Sequence, residues 1–233
     1  IKERKMSRVL IIGDTHCPAM KKGYVDFLND MKNLWNTDKT VHIGDVVDWA
    51  SISFHEKLPE FPSPHDEFHK AMEQVQLLYK AFPKVTVLTG NHDDLPKRKI
   101  STLTLPTQCI KEYSNLWNTP KWEWKPRFSR ISIDGVAYSH GDSGKGGKFS
   151  SLNNAHDNFC SWVQGHQHSI AGVNYYANLT KRIFALSTGC GVDHENLSMY
   201  YGKRFNSKPI VGCGIVLDGE HGFFEPMPFE DYE

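Results

Sequence analysis

The sequence predicts an α/β fold in which two packed, mixed β-sheets are flanked by helices. Through the first half of the chain, apolar runs that end in Gly-Asp or Gly-Asn alternate with segments of helical spacing, as in a largely parallel sheet. The second half carries hairpin patterns instead, which predicts a second sheet. With 233 residues and 39% hydrophobic composition, the chain can bury a full core, and we expect a single domain over residues 1–233.

The first predicted strand, residues 9–12, is entirely apolar and runs into Gly13-Asp14, as expected of a buried strand that ends in a functional loop. Apolar residues then recur every three or four positions over residues 24–35, which predicts a covering helix. The same unit repeats with a strand at 40–43 that ends in Gly44-Asp45.

A second helix is predicted over residues 68–82, and Ser63-Pro64 is a suitable start for it because proline is tolerated in the first helical turn. The third strand covers residues 84–88 and ends in Gly90-Asn91. The carboxyl ends of parallel strands meet at one edge of a sheet, so the polar residues after these three strands are expected to cluster there.

The second half begins with a predicted hairpin over residues 130–139 around Asp134-Gly135 and ends with another over 210–224 around Asp218-Gly219. Two further strands are predicted between the hairpins, at 162–164 and 182–187.

Two segments next to the predicted strand ends receive no secondary structure. Residues 50–62 are rich in aromatic residues and proline, and we interpret the region around 50–65 as a candidate lid. Residues 141–148 form a loop rich in glycine and lysine that directly follows a candidate ligand.

Five short patches each place a metal ligand where a predicted strand ends. They are Asp14-Thr15-His16, Gly44-Asp45-Val46-Val47-Asp48, Gly90-Asn91-His92-Asp93, Ser139-His140-Gly141-Asp142 and Gly165-His166-Gln167-His168. Taken singly, each is explained equally well by a helix cap or a turn, since Asp and Thr favour both. Together they supply the shared carboxylate and the further oxygen and imidazole ligands that a hydrolytic centre with two metal ions requires.

In this order and with these flanks, the five patches resemble the calcineurin-like metallophosphoesterase family. The motifs cover the chain from about residue 9 to residue 168. The resemblance implies an α/β/β/α sandwich with two divalent metal ions at one edge of the sheets, and hydrolysis of phosphate esters as the activity. It favours Mn²⁺ as the metal, although mixed imidazole and carboxylate ligands suit Fe and Zn²⁺ as well.

The resemblance also implies a role for each residue of the patches. The predicted ligands are Asp14, His16 and His168 for one ion, Asn91, His140 and His166 for the other, and Asp45 as the bridge between them. His92 is then not a ligand but protonates or orients the leaving-group oxygen, a role that suits an imidazole near neutral pH. Asp93 is its predicted partner, and Asp48 is predicted to support the loop of Asp45.

Three basic residues that follow the ligand motifs are candidate contacts to a substrate phosphate: Arg98, Lys145 and Lys148. Solvated surface loops explain them at least as well. Trp49-Ala50 stands where protein phosphatases of the family carry Arg-Gly, and the third motif ends in Asp93 rather than Glu. The resemblance therefore favours a phosphodiester substrate, either a phosphorylated small molecule or a nucleic acid.

Three alternatives stay open. The aromatic residues Trp49, Phe54, Trp122 and Trp124 can stack bases in a DNA or RNA nuclease, although they are also natural core or lid residues. A nucleotide or metabolite phosphomonoesterase uses the same kind of metal centre. A non-catalytic scaffold on this fold, like the retromer subunit that lacks the catalytic histidine, is disfavoured because His92 is present.

Composition bounds the partners and the compartment. The 27 basic residues balance 27 acidic residues, so no global positive field favours non-specific binding of nucleic acid. The five dispersed cysteines indicate free thiols in a reducing compartment. The apolar run at 9–12 is too short for a signal-peptide core or a membrane span, so we expect a cytoplasmic protein without a membrane partner. Nothing in the sequence identifies a protein partner.

Overall fold

The computed structural model describes residues 6–54, 60–193, 195–196 and 206–228. Residues 55–59 of the candidate lid lie outside this part of the chain. The described residues form two β-sheets with helices on their outer faces, so the predicted fold class is confirmed. Among these residues, no helix has the length and apolar character needed to cross a bilayer.

The strands are, in chain order, β1 (Arg8–Ile12), β2 (Lys39–His42), β3 (Thr86–Leu88), β4 (Glu123–Lys125), β5 (Ile131–Ile133), β6 (Val136–Ser139), β7 (Trp162–Gln164), β8 (Ala171–Ala177), β9 (Arg182–Thr188), β10 (Gly212–Leu217) and β11 (His221–Pro226). The α-helices are α1 (Tyr24–Leu34), α2 (Pro64–Ala81), α3 (Leu95–Thr102), α4 (Tyr113–Leu116) and α5 (Ser150–Asp157). Short 3₁₀ turns cover Ala50–Ile52 and Thr107–Cys109.

The two sheets are both mixed. The first has the strand order β11-β10-β1-β2-β3-β4, in which β1 to β4 are parallel neighbours. The second has the order β5-β6-β7-β9-β8, in which β6, β7 and β9 are parallel. Both predicted hairpins form, as β5-β6 and β10-β11. Asp134 and Asp218 begin their turns with φ of 49° and 55°, each followed by a glycine with positive φ, as tight connections between strands require.

Strand β1 lies at the centre of the molecule and is buried on both faces. Val9 and Ile11 pack between the two sheets, whereas Leu10 and Ile12 face the core beneath α1 and α2, because successive strand side chains point to opposite faces. On the far side of the second sheet, Ala155 of α5 packs with small and aromatic residues of β7 and β9. The layers are therefore helix, sheet, sheet and helix.

Five of the strands and α-helices have no counterpart in the sequence prediction, namely β4, β8, α3, α4 and α5. Strand β4 is only three residues long, too short for an alternation pattern to be recognised. Strand β8 lies at the edge of its sheet, and its residues are half-buried or exposed, so selection for apolar side chains is weak there. Helix α3 directly follows the third motif and begins with Leu95-Pro96, a proline position that fits a first turn.

Candidate metal centre

The five sequence patches converge at one edge of the two sheets. Their polar residues follow the carboxyl ends of strands that run parallel within each sheet: Asp14 and His16 after β1, Asp45 after β2, Asn91 and His92 after β3, His140 after β6, and His166 and His168 after β7. Ligands of open α/β sheets bind at this edge, because the carboxyl ends of the strands and their loops meet there.

One cluster joins Asp14, His16 and His168. The Nε2 atom of His168 lies 3.1 Å from Oδ2 of Asp14 and 3.1 Å from Nε2 of His16. The same Asp14 oxygen accepts the backbone N–H of His166 at 2.9 Å. Its other oxygen, Oδ1, is buried and has no hydrogen-bond partner among the described residues. A buried carboxylate oxygen is costly to leave unpaired, which fits a ligand to a cation.

A second cluster joins Asp45, Asn91, His140 and His166. The Nε2 atom of His140 lies 3.1 Å from Oδ1 of Asn91 and 3.3 Å from Oδ2 of Asp45. The ligand atoms of Asp45, His140 and His166 all lie within 4.8 Å of one another. Asp45 and His166 both have positive φ, 48° and 64°, in the tight loops that follow their strands.

Asp45 lies between the two clusters. Its Oδ2 is 3.6 Å from Nε2 of His16 in the first cluster and 3.3 Å from Nε2 of His140 in the second. Its Oδ1 accepts the backbone N–H of His92 at 2.8 Å. Burial raises the pKa of this carboxyl, but the charges of His140 and His92 outweigh burial and hold the pKa well below its ordinary value. Asp45 is therefore a buried carboxylate in contact with both groups of ligand atoms.

The hydrogen bonds of His16 leave its Nε2 lone pair directed into the cluster. Nδ1 lies 2.8 Å from Oδ1 of Asp48, and a carboxylate only accepts, so we assign the ring hydrogen to Nδ1. Burial and the neighbouring His92 lower the pKa of His16, which favours the neutral ring. Nε2 of His16 and Oδ2 of Asp45 then face each other with no hydrogen between them, and both are hydrogen-bond acceptors. A cation bound between the two atoms makes this arrangement favourable.

His140 gives the same indication from the second cluster. Its Nδ1 donates to the carbonyl oxygen of Ile43 at 3.1 Å, so Nε2 is the atom that faces Asp45. Burial lowers the pKa of His140, but the Asp45 carboxylate outweighs burial and raises it to about 10. The cluster thus favours positive charge at this point, whether a proton or a metal ion. Imidazole, carboxylate and amide donors together fit two divalent ions.

His92 contacts a different carboxylate from the one expected. Its Nδ1 lies 2.9 Å from Oδ1 of Asp48 and 2.9 Å from the carbonyl oxygen of the same residue. Burial lowers the pKa of His92, but Asp45 and the hydrogen bond to Asp48 outweigh it and raise the pKa to about 10. The ring is 14% exposed, so its outer edge is accessible from solvent.

The predicted pairing of Asp93 with His92 is wrong. The Asp93 carboxylate accepts the backbone N–H groups of Val47 at 3.1 Å and Gly90 at 2.9 Å, and thereby ties the loop after β2 to the loop after β3. Burial, followed by the charge of Asp45, raises the pKa of Asp93 to about 7. Asp93 therefore holds the site's framework, and Asp48 contacts the His92 ring.

The three basic candidates for substrate contact lie outside the two clusters. Lys145 is 64% exposed and forms an ion pair with Asp157, with its Nζ 3.0 Å from a carboxylate oxygen. Lys148 has its Nζ 5.8 Å from the ring centre of Phe149, and the Arg98 guanidinium carbon lies 5.9 Å from that of Phe54. None of these contacts involves a predicted ligand, and the assignment of the three residues to substrate stays a prediction.

The aromatic residues considered for base stacking separate into two groups. Trp122 is buried and donates its Nε1–H to the carbonyl of Phe82, and Trp124 donates to Thr119. Trp49 is partly buried and packs against Phe68 and Trp117 of the core. Phe54 alone among the four is exposed, at 65%, with the Nζ of Lys99 3.5 Å from its ring centre.

Two residues near the site were missed from the sequence. Glu67 of α2 is buried, and its carboxylate accepts the backbone N–H groups of Ala50 at 2.6 Å and Ser51 at 2.9 Å, just beyond Asp48. Arg127 follows β4 and donates to Asp142 at 2.7 Å. Neither residue stands in a recognisable motif. The sequence offered one indication of a structural role, which is the position of Glu67 in the first turn of a predicted helix.

A comparison with known protein families gives a match over most of the chain. The family model described as calcineurin-like phosphoesterase matches residues 7–187. A solved metallophosphoesterase from Sphaerobacter thermophilus is similar at 15% identity and a TM-score of 0.48, with 96% of this chain and 89% of that chain covered. The phosphoesterase Yfce from E. coli is similar at 13% identity and a TM-score of 0.44, with 89% and 87% covered.

A third similar structure is Vacuolar Protein Sorting 29 from Cryptosporidium parvum, at 14% identity and a TM-score of 0.44, with 91% of this chain and 86% of that chain covered. No curated protein sequence matches the chain.

Proposed function

The chain belongs to the calcineurin-like phosphoesterase family, and from this we propose that it is a metal-dependent hydrolase of phosphate esters that prefers phosphodiesters. The observation that carries the proposal is the position of Asp45, whose Oδ2 lies 3.6 Å from a histidine nitrogen of one cluster and 3.3 Å from a histidine nitrogen of the other. A carboxylate so placed can be shared by two ions, which is the central requirement of a two-metal site.

We assign the ligands as the sequence patches suggest. Asp14, His16 and His168 would hold one ion, Asn91, His140 and His166 would hold the other, and Asp45 would be shared by both. Two divalent ions at these positions would lower the pKa of a water molecule between them and offset charge that develops on the phosphoryl oxygens. The unpaired Oδ1 of Asp14 and the inward Nε2 atoms of His16 and His140 support this assignment.

His92 is assigned the proton transfer to the leaving-group oxygen. With Nδ1 bonded to Asp48, the ring is fixed in orientation and its Nε2 is the atom left for substrate. Asp48 also stabilises the charged form of the ring, because it lies 2.9 Å away and is itself buried. Loss of a proton from Nε2 to an ester oxygen would then leave a neutral ring that remains bonded to Asp48.

The finer parts of the proposal rest on the family resemblance. A diester substrate is favoured by the Gly-Asn-His-Asp form of the third motif, and Mn²⁺ is the metal we favour, with Fe and Zn²⁺ compatible with the same donors. A reducing, cytoplasmic setting accords with the five free cysteines.

The test is hydrolysis of bis-p-nitrophenyl phosphate and of p-nitrophenyl phosphate by protein that has been stripped of metal and refilled with Mn²⁺. Faster turnover of the diester is expected, and the apo protein should be inactive. Preference for the monoester would redirect the assignment to a nucleotide or metabolite phosphatase. Turnover of neither ester, with two ions bound per chain, would contradict the proposed activity and favour a non-catalytic role.

A further inference from the structure

Arg127 links two loops of the metal centre from outside. Its Nε donates to Oδ2 of Asp142 at 2.7 Å, and its NH1 lies 3.6 Å from Oδ2 of Asp94. Asp142 stands two residues after His140, and Asp94 stands two residues after His92. The Arg127 side chain is 19% exposed and the Asp142 side chain only 4% exposed, so the guanidinium is held at the rim between these loops.

Phe128 lies over that guanidinium. The Arg127 guanidinium carbon is 4.4 Å from the centre of the Phe128 ring, which is a cation–π distance, and the phenylalanine is 59% exposed. A large apolar side chain is therefore presented to solvent against a guanidinium that Asp142 and Asp94, in two loops of the candidate site, fix in place.

The backbone of Phe128 is also unfavourable for its residue type. The residue has φ of 67° and occupies the third position of a four-residue turn closed by the Ser129 N–H on the carbonyl of Pro126 at 3.1 Å. Glycine or asparagine is preferred where that position has positive φ, and a bulky side chain there is uncommon. Exposed apolar surface and backbone strain thus coincide at one residue next to the candidate site, a combination that indicates a functional role.

Phe159 provides an internal comparison. It is 76% exposed with φ of 51°, but it directly follows Asn158, the C-cap of α5. The backbone N–H of Phe159 donates to the carbonyl of His156 and that of Cys160 donates to the carbonyl of Ala155, as at an ordinary left-handed helix terminus. Local structure therefore explains the conformation of Phe159. Phe128 ends no helix, so its conformation lacks that explanation.

We propose that Phe128, supported by Arg127, is a stacking platform for the base of a nucleotide diester whose phosphate is held at the metal centre. The proposal rests on the proposed hydrolase function and assigns its substrate class. Every base has a planar face, and stacking on an exposed aromatic ring contributes to binding without reading the sequence. The Arg127 guanidinium against the ring, itself held by Asp142 and Asp94, fixes the platform beside the loops that follow His140 and His92.

The experiment compares two diesters with the same leaving group and charge, the p-nitrophenyl ester of thymidine 5′-monophosphate and methyl p-nitrophenyl phosphate. The wild type with Mn²⁺ should prefer the thymidine ester. Phe128→Gly should remove that preference, with about a tenfold rise in KM for the thymidine ester and no change for the methyl ester. Because glycine relieves the strained φ, this variant should also have an equal or higher Tm.

Phe128→Trp should retain the preference, and Phe159→Ala is the matched control that should leave both esters unchanged. Equal losses on the two esters in Phe128→Gly, or no loss on either, would overturn the platform while leaving the hydrolase intact. If the wild type cleaves neither ester, the proposed function fails. The stacking role of Phe128 is then tested by the binding of thymidine 5′-monophosphate to the Mn²⁺-loaded protein. Phe128→Gly should bind this nucleotide more weakly than the wild type. A steep loss of oligonucleotide cleavage with salt would identify nucleic acid, rather than a small nucleotide, as the source of the base.

Discussion

Nδ1 of His92 lies 2.9 Å from both the side-chain Oδ1 and the backbone carbonyl oxygen of Asp48. The same Oδ1 is 2.8 Å from Nδ1 of His16. One buried carboxylate therefore orients both a predicted metal ligand and the predicted proton donor. Residues that orient ligands in this way affect metal affinity and activity together.

Asp48→Asn should lower kcat for the diester by about 10- to 100-fold and weaken Mn²⁺ binding, because a neutral amide no longer stabilises a charged His92 or fixes the hydrogen on Nδ1 of His16. Steady-state kinetics at saturating Mn²⁺ separate the two effects. Asp26→Asn, at an exposed position in the first turn of α1, is the control and should behave as the wild type. An unchanged kcat in Asp48→Asn would contradict the role assigned to Asp48 in stabilising the charged His92.

Metal stoichiometry tests the division of ligands into two groups. The wild type should bind two Mn²⁺ per chain, whereas His168→Ala and His166→Ala should each retain one tightly bound ion, because each removes a ligand from a different cluster. Calorimetry and metal analysis measure the count without recourse to activity. His156→Ala, at an 81% exposed histidine, should leave the count at two. A wild type that binds one ion or none would contradict the two-cluster assignment.

The positions of the candidate ligands could be predicted because each follows a buried strand that the sequence pattern indicates, whereas their roles as ligands came from the resemblance to the family and stay a prediction. Val9 to Ile12 had to lie inside the molecule, and Asp14 then had to lie at the strand end where its neighbours also place their polar residues. The partner of His92 was not predictable. Asp93 is adjacent in sequence, but its carboxylate turns toward two backbone N–H groups, and only the loop after β2 brings Asp48 to the ring.

Arg127 and Phe128 escaped prediction for a related reason. The strand that precedes them, β4, pairs with β3 over only three residues, and its sequence reads as an aromatic loop. Their proximity to the site depends on a register between strands that are 35 or more residues apart, and local periodicity carries no information about such pairings.

The loop that carries Asp48 is anchored by Glu67, and this contact makes stability depend on pH. Burial raises the pKa of Glu67 above its ordinary value of 4.5, although the hydrogen bonds from Ser51 and Ala50 partly oppose it. The folded protein then binds the proton more tightly than the unfolded chain. The contribution of Glu67 to stability is therefore fully present below pH 4.5 and is lost as the pH rises through the raised pKa.

Glu67→Gln does not titrate, so the stability of the wild type relative to this variant should fall as the pH rises from below 4.5 through that window. Urea unfolding of both metal-free proteins at a series of pH values measures the difference, in which the other titrating groups cancel. A difference that is constant with pH, or that increases, would show that burial does not control this carboxyl.

Two glycines test how tightly the clusters are built. A Cβ on Gly90 would overlap the carboxylate and backbone nitrogen of Asp45, and a Cβ on Gly165 would overlap the carboxylate of Asp14 and the side chain of Ile43. Neither glycine has a positive φ, so Gly90→Ala and Gly165→Ala act through this overlap alone. Overpacking of this kind costs about 1–3 kcal/mol. If the shift falls on the carboxylates, Mn²⁺ binding should weaken by about 5- to 150-fold.

Gly146→Ala is the matched control, because an added Cβ there meets no atom within 4 Å and the residue lies in the exposed loop after β6. It should bind Mn²⁺ and unfold as the wild type does. In the two site variants, a loss of Mn²⁺ affinity with a small change in apo-protein Tm would show that Asp45 and Asp14 must hold their positions to bind metal. An added Cβ must displace the carboxylate oxygens of Asp45 or Asp14. If both glycine variants nevertheless bind Mn²⁺ with wild-type affinity, these carboxylates either move freely or are not ligands.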